Sequence, residues 1–173
     1  MNEETIIRTA VVTGGSRGIG LAIALELGRS GYAVAIMATK PESAYPQSTQ
    51  KLREAGVSYS WHAGDIANTE DRLRVVDEVA ARHGRIDVLV NNAGMCQNGT
   101  VLTETRESLN RIMDVDCWGV YNGMHYCAPA IIEAGGGTIV NTCSYQGTHF
   151  GPGSFIGYAM AKAAVMGMTR AAA

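Results

Sequence analysis

A glycine-rich turn between a short apolar run and a helical pattern is the feature that most limits how this chain can fold. Residues 9–13 read TAVVT, and the segment GGSRGIG follows at once. Apolar side chains then recur four residues apart, at Ile19, Ile23 and Leu27. A β-branched run, a glycine cluster and a helix-period pattern in succession indicate a strand, a tight turn and a helix. We therefore predict a βα unit near the start of the chain.

The same alternation of apolar runs and helical patterns continues along the chain. In the helix predicted at residues 69–83, Leu73, Val76 and Ala80 fall on one face, and Gly84 is the expected stop. Repeated βα units favour a parallel sheet with helices on both faces and ligands at the carboxyl ends of the strands. We predict one doubly wound α/β domain that covers residues 1–173. Its further strands are expected at residues 33–39, 57–62, 87–91 and 138–143, and its further helices at 47–55, 105–133 and the last residues.

Composition and charge exclude several classes of protein. The chain is 46% hydrophobic with a formal net charge of -2, and it has no run of Lys or Arg that could neutralise a nucleic-acid backbone. Residues 1–8 carry Glu3 and Glu4 and lack the basic-then-apolar pattern of a signal peptide. No apolar stretch approaches the ~20 residues of a membrane-spanning helix. We expect a soluble protein with no nucleic-acid or membrane partner.

The spacing of cysteine and histidine predicts neither a disulfide framework nor a metal site. The four cysteines contain no CxxC pair, and the four histidines have no ligand-like spacing. Scattered free thiols fit a reducing compartment. We therefore expect a cytoplasmic protein without a bound metal.

The turn at residues 14–20 is a candidate binding site for a dinucleotide. A pyrophosphate at the start of a helix meets free backbone N–H groups and the positive end of the helix dipole. Gly14 can form the tight turn, Gly18 removes a side chain where phosphate approaches, and Gly20 allows helix and strand to pack closely. Many glycine-rich turns are only structural, but the preceding strand and following helix favour the dinucleotide interpretation.

A tyrosine and a lysine form a second candidate site near the end of the sequence. Tyr158 and Lys162 are four residues apart, so a helix would present both on one face. A nearby ammonium favours the phenolate, which makes a phenol more useful for proton transfer at neutral pH. The YxxxK spacing alone is common on solvated helices, so it gains meaning only from the other motifs.

These motifs together resemble the short-chain dehydrogenase/reductase family. The GxxxGxG spacing of the turn, the segment NNAG at residues 91–94 and the YxxxK pair occur in the family's order, and the general pattern resembles reductases of the 3-oxoacyl carrier-protein type. The resemblance implies a Rossmann fold and hydride transfer between a nicotinamide and a ketone or secondary alcohol. Because family members are usually longer and this sequence stops inside a predicted helix, we expect a domain that lacks the family's C-terminal strands.

The resemblance also implies roles for the catalytic group. Tyr158 would protonate the carbonyl oxygen, Ser144 would hold that oxygen, and Lys162 would also bind the nicotinamide ribose. Asp116 stands in the segment DCWG, where the family usually has asparagine. A carboxylate lacks the amide donor and would attract Lys162 directly, so we expect Asp116 to disturb the proton relay through that lysine.

The family motifs place the cofactor along the carboxyl ends of the strands. Ala38 stands where an acidic residue would bind a ribose 2′-hydroxyl, whereas Arg17, Thr39 and Lys40 could neutralise a 2′-phosphate, so we expect NADP(H) rather than NAD. The expected cofactor-binding residues are Gly14, Ser16, Arg17, Gly18, Ile19, Gly20, Ala38, Thr39, Lys40, Asp65, Ile66, Asn92, Ala93, Gly94, Tyr158 and Lys162.

Two functions remain open at this stage. One is an NADPH-dependent reductase of a 3-oxoacyl thioester or another ketone. The other is a dinucleotide-binding module or fragment without turnover, suggested by Asp116 and by the end of the sequence at Ala173. The family also implies a homo-oligomer formed through two long helices, in which Ile112, Val115, Val120 and the face at residues 161–168 belong either to the interface or to the core.

Overall fold

The computed structural model describes residues 6–149 and 155–173. Within them, five parallel strands form one sheet in the order β3-β2-β1-β4-β5. The chain leaves β1 toward one edge and returns to the other side of β1 at β4, so the topology reverses between these two strands. The strands are β1 (Thr9–Thr13), β2 (Ala33–Ala38), β3 (Tyr59–Ala63), β4 (Val88–Asn91) and β5 (Thr138–Asn141).

Helices connect these strands and cover the sheet. They are α1 (Gly18–Arg29), α2 (Pro46–Glu54), α3 (Thr69–His83), α4 (Arg106–Met113), α5 (Gly119–Glu133) and α6 (Ile156–Ala172). The single long helical region predicted at residues 105–133 is therefore two helices, joined by a π-helical turn at Asp114–Trp118. A π-turn inserts an extra residue into a helix and is frequent at functional sites.

Hydrophobic residues fill both faces of the sheet, as the doubly wound prediction requires. Along β1, Val11 packs in a cluster with Val75 and Val79 of α3, whereas Val12 packs in a second cluster with Leu21 of α1. Successive strand side chains point to opposite faces, so helices must cover both sides. The structure thus confirms the predicted fold class.

The bounds of the third strand differ from the prediction because the end of α2 uses the residues before it. The predicted strand began at residue 57, but the N–H of Val57 donates to the carbonyl of Leu52 at 3.0 Å. Gly56 has a φ of 67°, the left-handed conformation that commonly ends a helix. Val57 therefore belongs to the helix end, and β3 begins at Tyr59.

No helix within the described residues is long and apolar enough to cross a membrane.

Candidate functional site

The turn after β1 is held in a shape that leaves helix N–H groups open. The N–H of Gly14 donates to the carbonyl of Met37 at 2.8 Å, which ties the turn to β2. The carbonyl of Ser16 accepts the Ser48 hydroxyl at 2.6 Å, which ties it to α2. Arg17 precedes α1 and provides no side-chain cap, and the first turn of α1 carries no acidic residue. This end of α1 is therefore suited to an anion.

Three glycines shape the turn in different ways. Gly14 and Gly18 have φ values of 66° and 55°, which side chains rarely adopt. A Cβ at Gly20 would lie 2.3 Å from the carbonyl oxygen of Gly14, so α1 and the turn pack too closely for any side chain there. A Cβ at Gly18 would meet no atom within 4 Å, so this position faces open space. A cradle of this form fits a pyrophosphate.

A cleft of about 580 Å³ opens beside this turn, at the carboxyl ends of the strands. Its lining includes thirteen of the sixteen residues predicted to bind the cofactor. They are Gly14, Ser16, Arg17, Gly18, Ile19, Gly20, Ala38, Thr39, Asp65, Ile66, Asn92, Ala93 and Gly94. The structure therefore brings together motifs from four separate strand ends.

Three of the predicted cofactor-binding residues do not line that cleft. The Lys40 side chain is exposed, and its carbonyl accepts the indole N–H of Trp61 at 3.0 Å. Tyr158 and Lys162 lie on α6. The structure thus groups thirteen of the predicted cofactor residues along the cleft and leaves Lys40, Tyr158 and Lys162 outside its lining.

The segment after β4 closes the cleft against the turn. The amide of Asn92 donates to the carbonyl of Thr13 at 3.0 Å, and its backbone N–H donates to the Thr13 hydroxyl at 3.0 Å. A Cβ at Gly14 would lie 2.9 Å from the Cα of Ala93, so the two segments touch through backbone. Asn92 therefore ties the segment after β4 to the end of β1 at the wall of the cleft.

Four further residues line the cleft that were not predicted to bind the cofactor: Tyr45, Met95, Arg111 and Val115. Arg111 forms an ion pair with Asp65, with Nη2 3.4 Å from Oδ2. These two residues are 46 positions apart in the chain. Their meeting depends on how α4 approaches the end of β3, and no local pattern reports that approach.

A buried ion pair joins α6 to the π-turn. Lys162 Nζ lies 3.1 Å from Oδ1 of Asp116, and the two side chains are 4% and 0% exposed. Oδ2 of Asp116 accepts the N–H of Met95 at 2.9 Å. The direct attraction predicted between Asp116 and Lys162 is therefore present in the geometry. The carboxylate also links this pair to the segment after β4.

Burial and hydrogen bonding act in opposite directions on Asp116. Burial raises the pKa of its carboxyl above the usual value, and this outweighs the opposite effects of the Met95 N–H and the Lys162 ammonium. A Cβ at Gly94 would lie 2.7 Å from Oδ1 of Asp116, so the pair is packed directly beneath the cleft wall. A change at Asp116 would therefore act on both α6 and the cleft.

The Lys162 ammonium keeps a donor for a ligand. Its Nζ donates to the carbonyl of Thr142 at 3.1 Å and contacts Asp116, whereas an ammonium has three N–H groups. Nζ also lies 5.5 Å from the centre of the Tyr158 ring, within the range of a cation–π contact. Lys162 is thus positioned to influence the phenol and to donate one further hydrogen bond.

Ser144 follows β5, in a segment that contacts α6. Its hydroxyl oxygen accepts the N–H of Gln146 at 3.2 Å, which leaves the hydroxyl hydrogen able to donate elsewhere. The preceding thiol, Cys143, donates to the carbonyl of Lys162 at 3.2 Å, and a Cβ at Gly147 would lie 2.9 Å from the Lys162 backbone. The segment that carries Ser144 is therefore attached to α6.

Three of the residues named as alternative interface or core positions are buried in the core of this chain. Ile112, Val115 and Val120 are 0%, 7% and 2% exposed. The exposed large apolar side chains of the π-turn and α5 are instead Trp118, Tyr121 and Ile132.

Among residues 6–149 and 155–173, no group of three or more His, Cys, Asp or Glu side chains could hold a metal ion.

Two curated relatives resemble most of this chain. A 3-oxoacyl-(acyl-carrier-protein) reductase of Staphylococcus aureus is 31% identical over 166 residues, which are 96% of this chain and 67% of that protein. A 3alpha-hydroxysteroid dehydrogenase of Mediterraneibacter gnavus is 32% identical over 168 residues, which are 96% of this chain and 66% of that protein. The chain thus spans about two thirds of the length of these relatives.

The fold also matches a solved structure. The crystal structure of a metagenomic short-chain oxidoreductase in complex with NADP is 34% identical, with a TM-score of 0.88 over 96% of this chain and 75% of that one. The family model described as short chain dehydrogenase matches residues 8–173. Because this match includes the glycine-rich turn and the Tyr158–Lys162 pair, the chain belongs to the short-chain dehydrogenase/reductase family of oxidoreductases.

Proposed function

We propose that this protein transfers a hydride between NADP(H) and a ketone or secondary alcohol, with 3-oxoacyl thioester reduction as the first activity to test. The main support for this proposal is the cleft. The uncapped N-terminus of α1 lies at the cleft, and the predicted cofactor motifs line it. The relative named as a 3-oxoacyl-(acyl-carrier-protein) reductase and the neighbour bound to NADP support it.

The dinucleotide pyrophosphate would lie on the turn at residues 14–20. Gly18 faces open space there, and the first N–H groups of α1 have no side-chain cap. Arg17 forms no ion pair with any described residue, so its guanidinium is available to a 2′-phosphate. Ala38 offers no carboxylate that would repel such a group.

When bound, the reduced nicotinamide supplies the hydride that the carbonyl carbon receives. The Tyr158 hydroxyl would donate its proton to the carbonyl oxygen, which becomes the alcohol oxygen. The free hydrogen of the Ser144 hydroxyl would hold that oxygen during the transfer. The remaining N–H of Lys162 would bind the nicotinamide ribose.

A second candidate function is dinucleotide binding without turnover, and the Asp116–Lys162 ion pair is the observation that favours it. A buried carboxylate 3.1 Å from the ammonium reduces the positive charge that Tyr158 experiences. The two candidates differ in turnover and agree in cofactor binding.

Fluorescence titration with NADPH and NADH, followed by addition of a 3-oxoacyl thioester to the same sample, separates the candidates. The reductase proposal requires tighter NADPH binding and oxidation of NADPH after addition. Binding without oxidation across a panel of ketones would support the second function. The absence of binding to either nucleotide would contradict both.

We further propose a cytoplasmic homo-oligomer. Trp118, Tyr121 and Ile132 on and beside α5 are 54%, 43% and 74% exposed, and such side chains support a contact between copies. Cys96, Cys117, Cys127 and Cys143 are all free thiols, which fits a reducing compartment. Light scattering of the purified protein measures the oligomeric state.

A further inference from the structure

The segment between β2 and α2 contains an aromatic side chain at one end of the cleft. Tyr45 lines the cleft together with Arg17 and Thr39. The sheet order places β2 and β3 on one side of β1, whereas β4 and β5, which lead to Lys162, lie on the other. Tyr45 is therefore at the end of the cleft that lies away from the Tyr158–Lys162 pair.

A second aromatic residue supports Tyr45 from the edge strand. The ring centres of Tyr45 and Trp61 are 5.2 Å apart, and the planes are inclined by 35°. The indole N–H of Trp61 donates to the carbonyl of Lys40 at 3.0 Å, so the same side chain also holds the residue after Thr39. Trp61 thus contacts the segment near its start, at Lys40, and near its end, at Tyr45.

The backbone of Tyr45 is fixed on both sides. Its N–H donates to the carbonyl of Glu42 at 2.9 Å, and its carbonyl accepts the N–H groups of Ser48 and Thr49 at 3.1 Å. The Glu42 carboxylate in turn accepts the Tyr59 hydroxyl at 2.7 Å and Arg53 at 2.8 Å. With its backbone fixed and its ring packed on Trp61, Tyr45 loses little further conformational freedom when a ligand packs against it.

We propose that Tyr45 is a binding residue for a 2′-phosphorylated adenosine, with its ring packed on the adenosine while Arg17 and Thr39 bind the phosphate. The inference rests on the proposed NADP(H) function and adds the residue that recognises its adenosine end. Aromatic rings stack on nucleobases irrespective of base identity, and arginine pairs with phosphate through two parallel hydrogen bonds. Tyr45 supplies affinity, and the Arg17 guanidinium with the Thr39 hydroxyl supplies discrimination between NADP and NAD.

Trp61 gives this proposal a readout that does not depend on turnover. The chain has two tryptophans, so Trp118→Phe leaves Trp61 as the sole indole fluorophore. Ligand contact with Tyr45 changes the surroundings of the ring that packs on Trp61. We expect adenosine 2′,5′-bisphosphate to change the Trp61 emission, and adenosine 5′-monophosphate to do so only at higher concentration.

The test is calorimetric titration of the full chain with adenosine 2′,5′-bisphosphate and NADPH. Tyr45→Leu should weaken both affinities by roughly tenfold, whereas Tyr45→Phe should keep both within about twofold, because the ring and not the hydroxyl makes the contact. Tyr121→Leu is the matched control, since Tyr121 is a half-exposed tyrosine on α5. Circular dichroism of each variant verifies that the fold is retained.

The outcomes separate this inference from the proposed function. If the unmodified chain binds NADPH and Tyr45→Leu binds it equally well, Tyr45 is not a binding residue, while the proposed function stands. If Tyr45→Phe loses as much affinity as Tyr45→Leu, the stacking role is wrong. If the unmodified chain binds neither ligand, both the inference and the proposed function are overturned.

Discussion

Oδ1 of Asp116 lies 3.1 Å from Nζ of Lys162, and neither side chain has appreciable contact with solvent. The carboxylate thereby compensates a charge that would otherwise act on Tyr158, whose ring centre is 5.5 Å from the same Nζ. Breaking a buried pair by removing one partner is usually costly, because the other charge remains buried. Here the Thr142 carbonyl also accepts from Lys162, so the ammonium keeps one partner.

Asp116→Asn should raise turnover and lower stability. Without the carboxylate, the Lys162 charge acts more strongly on the phenol, so we expect kcat to rise roughly tenfold. An amide has one acceptor oxygen, so either Met95 N–H or Lys162 loses its partner, which costs about 1–3 kcal/mol. Steady-state kinetics and urea unfolding measure the two effects.

Asp114→Asn is the control for that substitution. Asp114 lies in the same π-turn but is exposed, so its replacement should change neither turnover nor stability. An unchanged or lower kcat in Asp116→Asn would show that the carboxylate does not disturb proton transfer.

Tyr158→Phe should abolish turnover without removing cofactor binding. The variant keeps the ring that contacts Lys162 and loses only the hydroxyl, so kcat should fall by at least ~10²-fold while the Kd for NADPH stays within about twofold. Stopped-flow NADPH oxidation and fluorescence titration give the two numbers. Tyr121→Phe, on α5, should leave both unchanged. Residual turnover near that of the unmodified protein would exclude Tyr158 as the proton donor.

Stability should fall as the pH drops below about 6.5 because of His83. Burial, and then the charges of Arg82 and His62, lower the pKa of His83 from 6.5. A histidine with a lowered pKa in the fold binds its proton more readily in the unfolded chain. The contribution of His83 to stability is therefore complete above its pKa in the unfolded chain. That contribution is lost as the pH falls from this pKa toward the lower pKa of His83 in the folded protein.

His83→Gln tests this dependence. The amide can still donate to the Ser60 hydroxyl, which lies 2.9 Å from His83 Nε2, but it does not titrate. Urea unfolding between pH 5 and 8 should show a weaker pH dependence for the variant than for the unmodified chain. Equal slopes in the two proteins would assign the acid sensitivity to other groups.

The sequence predicts the elements of this fold better than it predicts their orientation. The helix at Thr69–His83 and its stop at Gly84 agree with the prediction, since capping and glycine signals are local. Its predicted face is displaced: Leu73 is 43% exposed, whereas Val75 and Val79 are buried. Adjacent apolar residues leave the helical phase ambiguous by one position, and contacts with the sheet decide it.

The site shows the same division between local and tertiary information. The glycine turn could be identified because strand, glycines and helix are contiguous in the sequence. Tyr45 and Arg111 could not, because each reaches the cleft through the packing of a segment that carries no motif. The ion pair of Asp116 and Lys162 could be predicted from the sequence only in part. Family motifs placed each residue, and the structure supplied the distance.

Gly20 lies in a close contact with the turn, whereas Gly167 lies in a helix without such a contact. Replacing each by alanine therefore distinguishes the effect of the close contact from the general effect of glycine on a helix. Gly20→Ala should weaken NADPH binding by at least tenfold and lower stability by about 1–3 kcal/mol, since the new Cβ would lie 2.3 Å from the Gly14 carbonyl and force α1 away from the turn. Gly167→Ala is the matched change in α6, where no atom lies within 4 Å of the new Cβ. It should stabilise the chain by about 0.5–1 kcal/mol, because alanine favours a helix interior, and leave NADPH affinity unchanged. Equal affinities in the two variants would show that the close approach of α1 to the turn is not needed for cofactor binding.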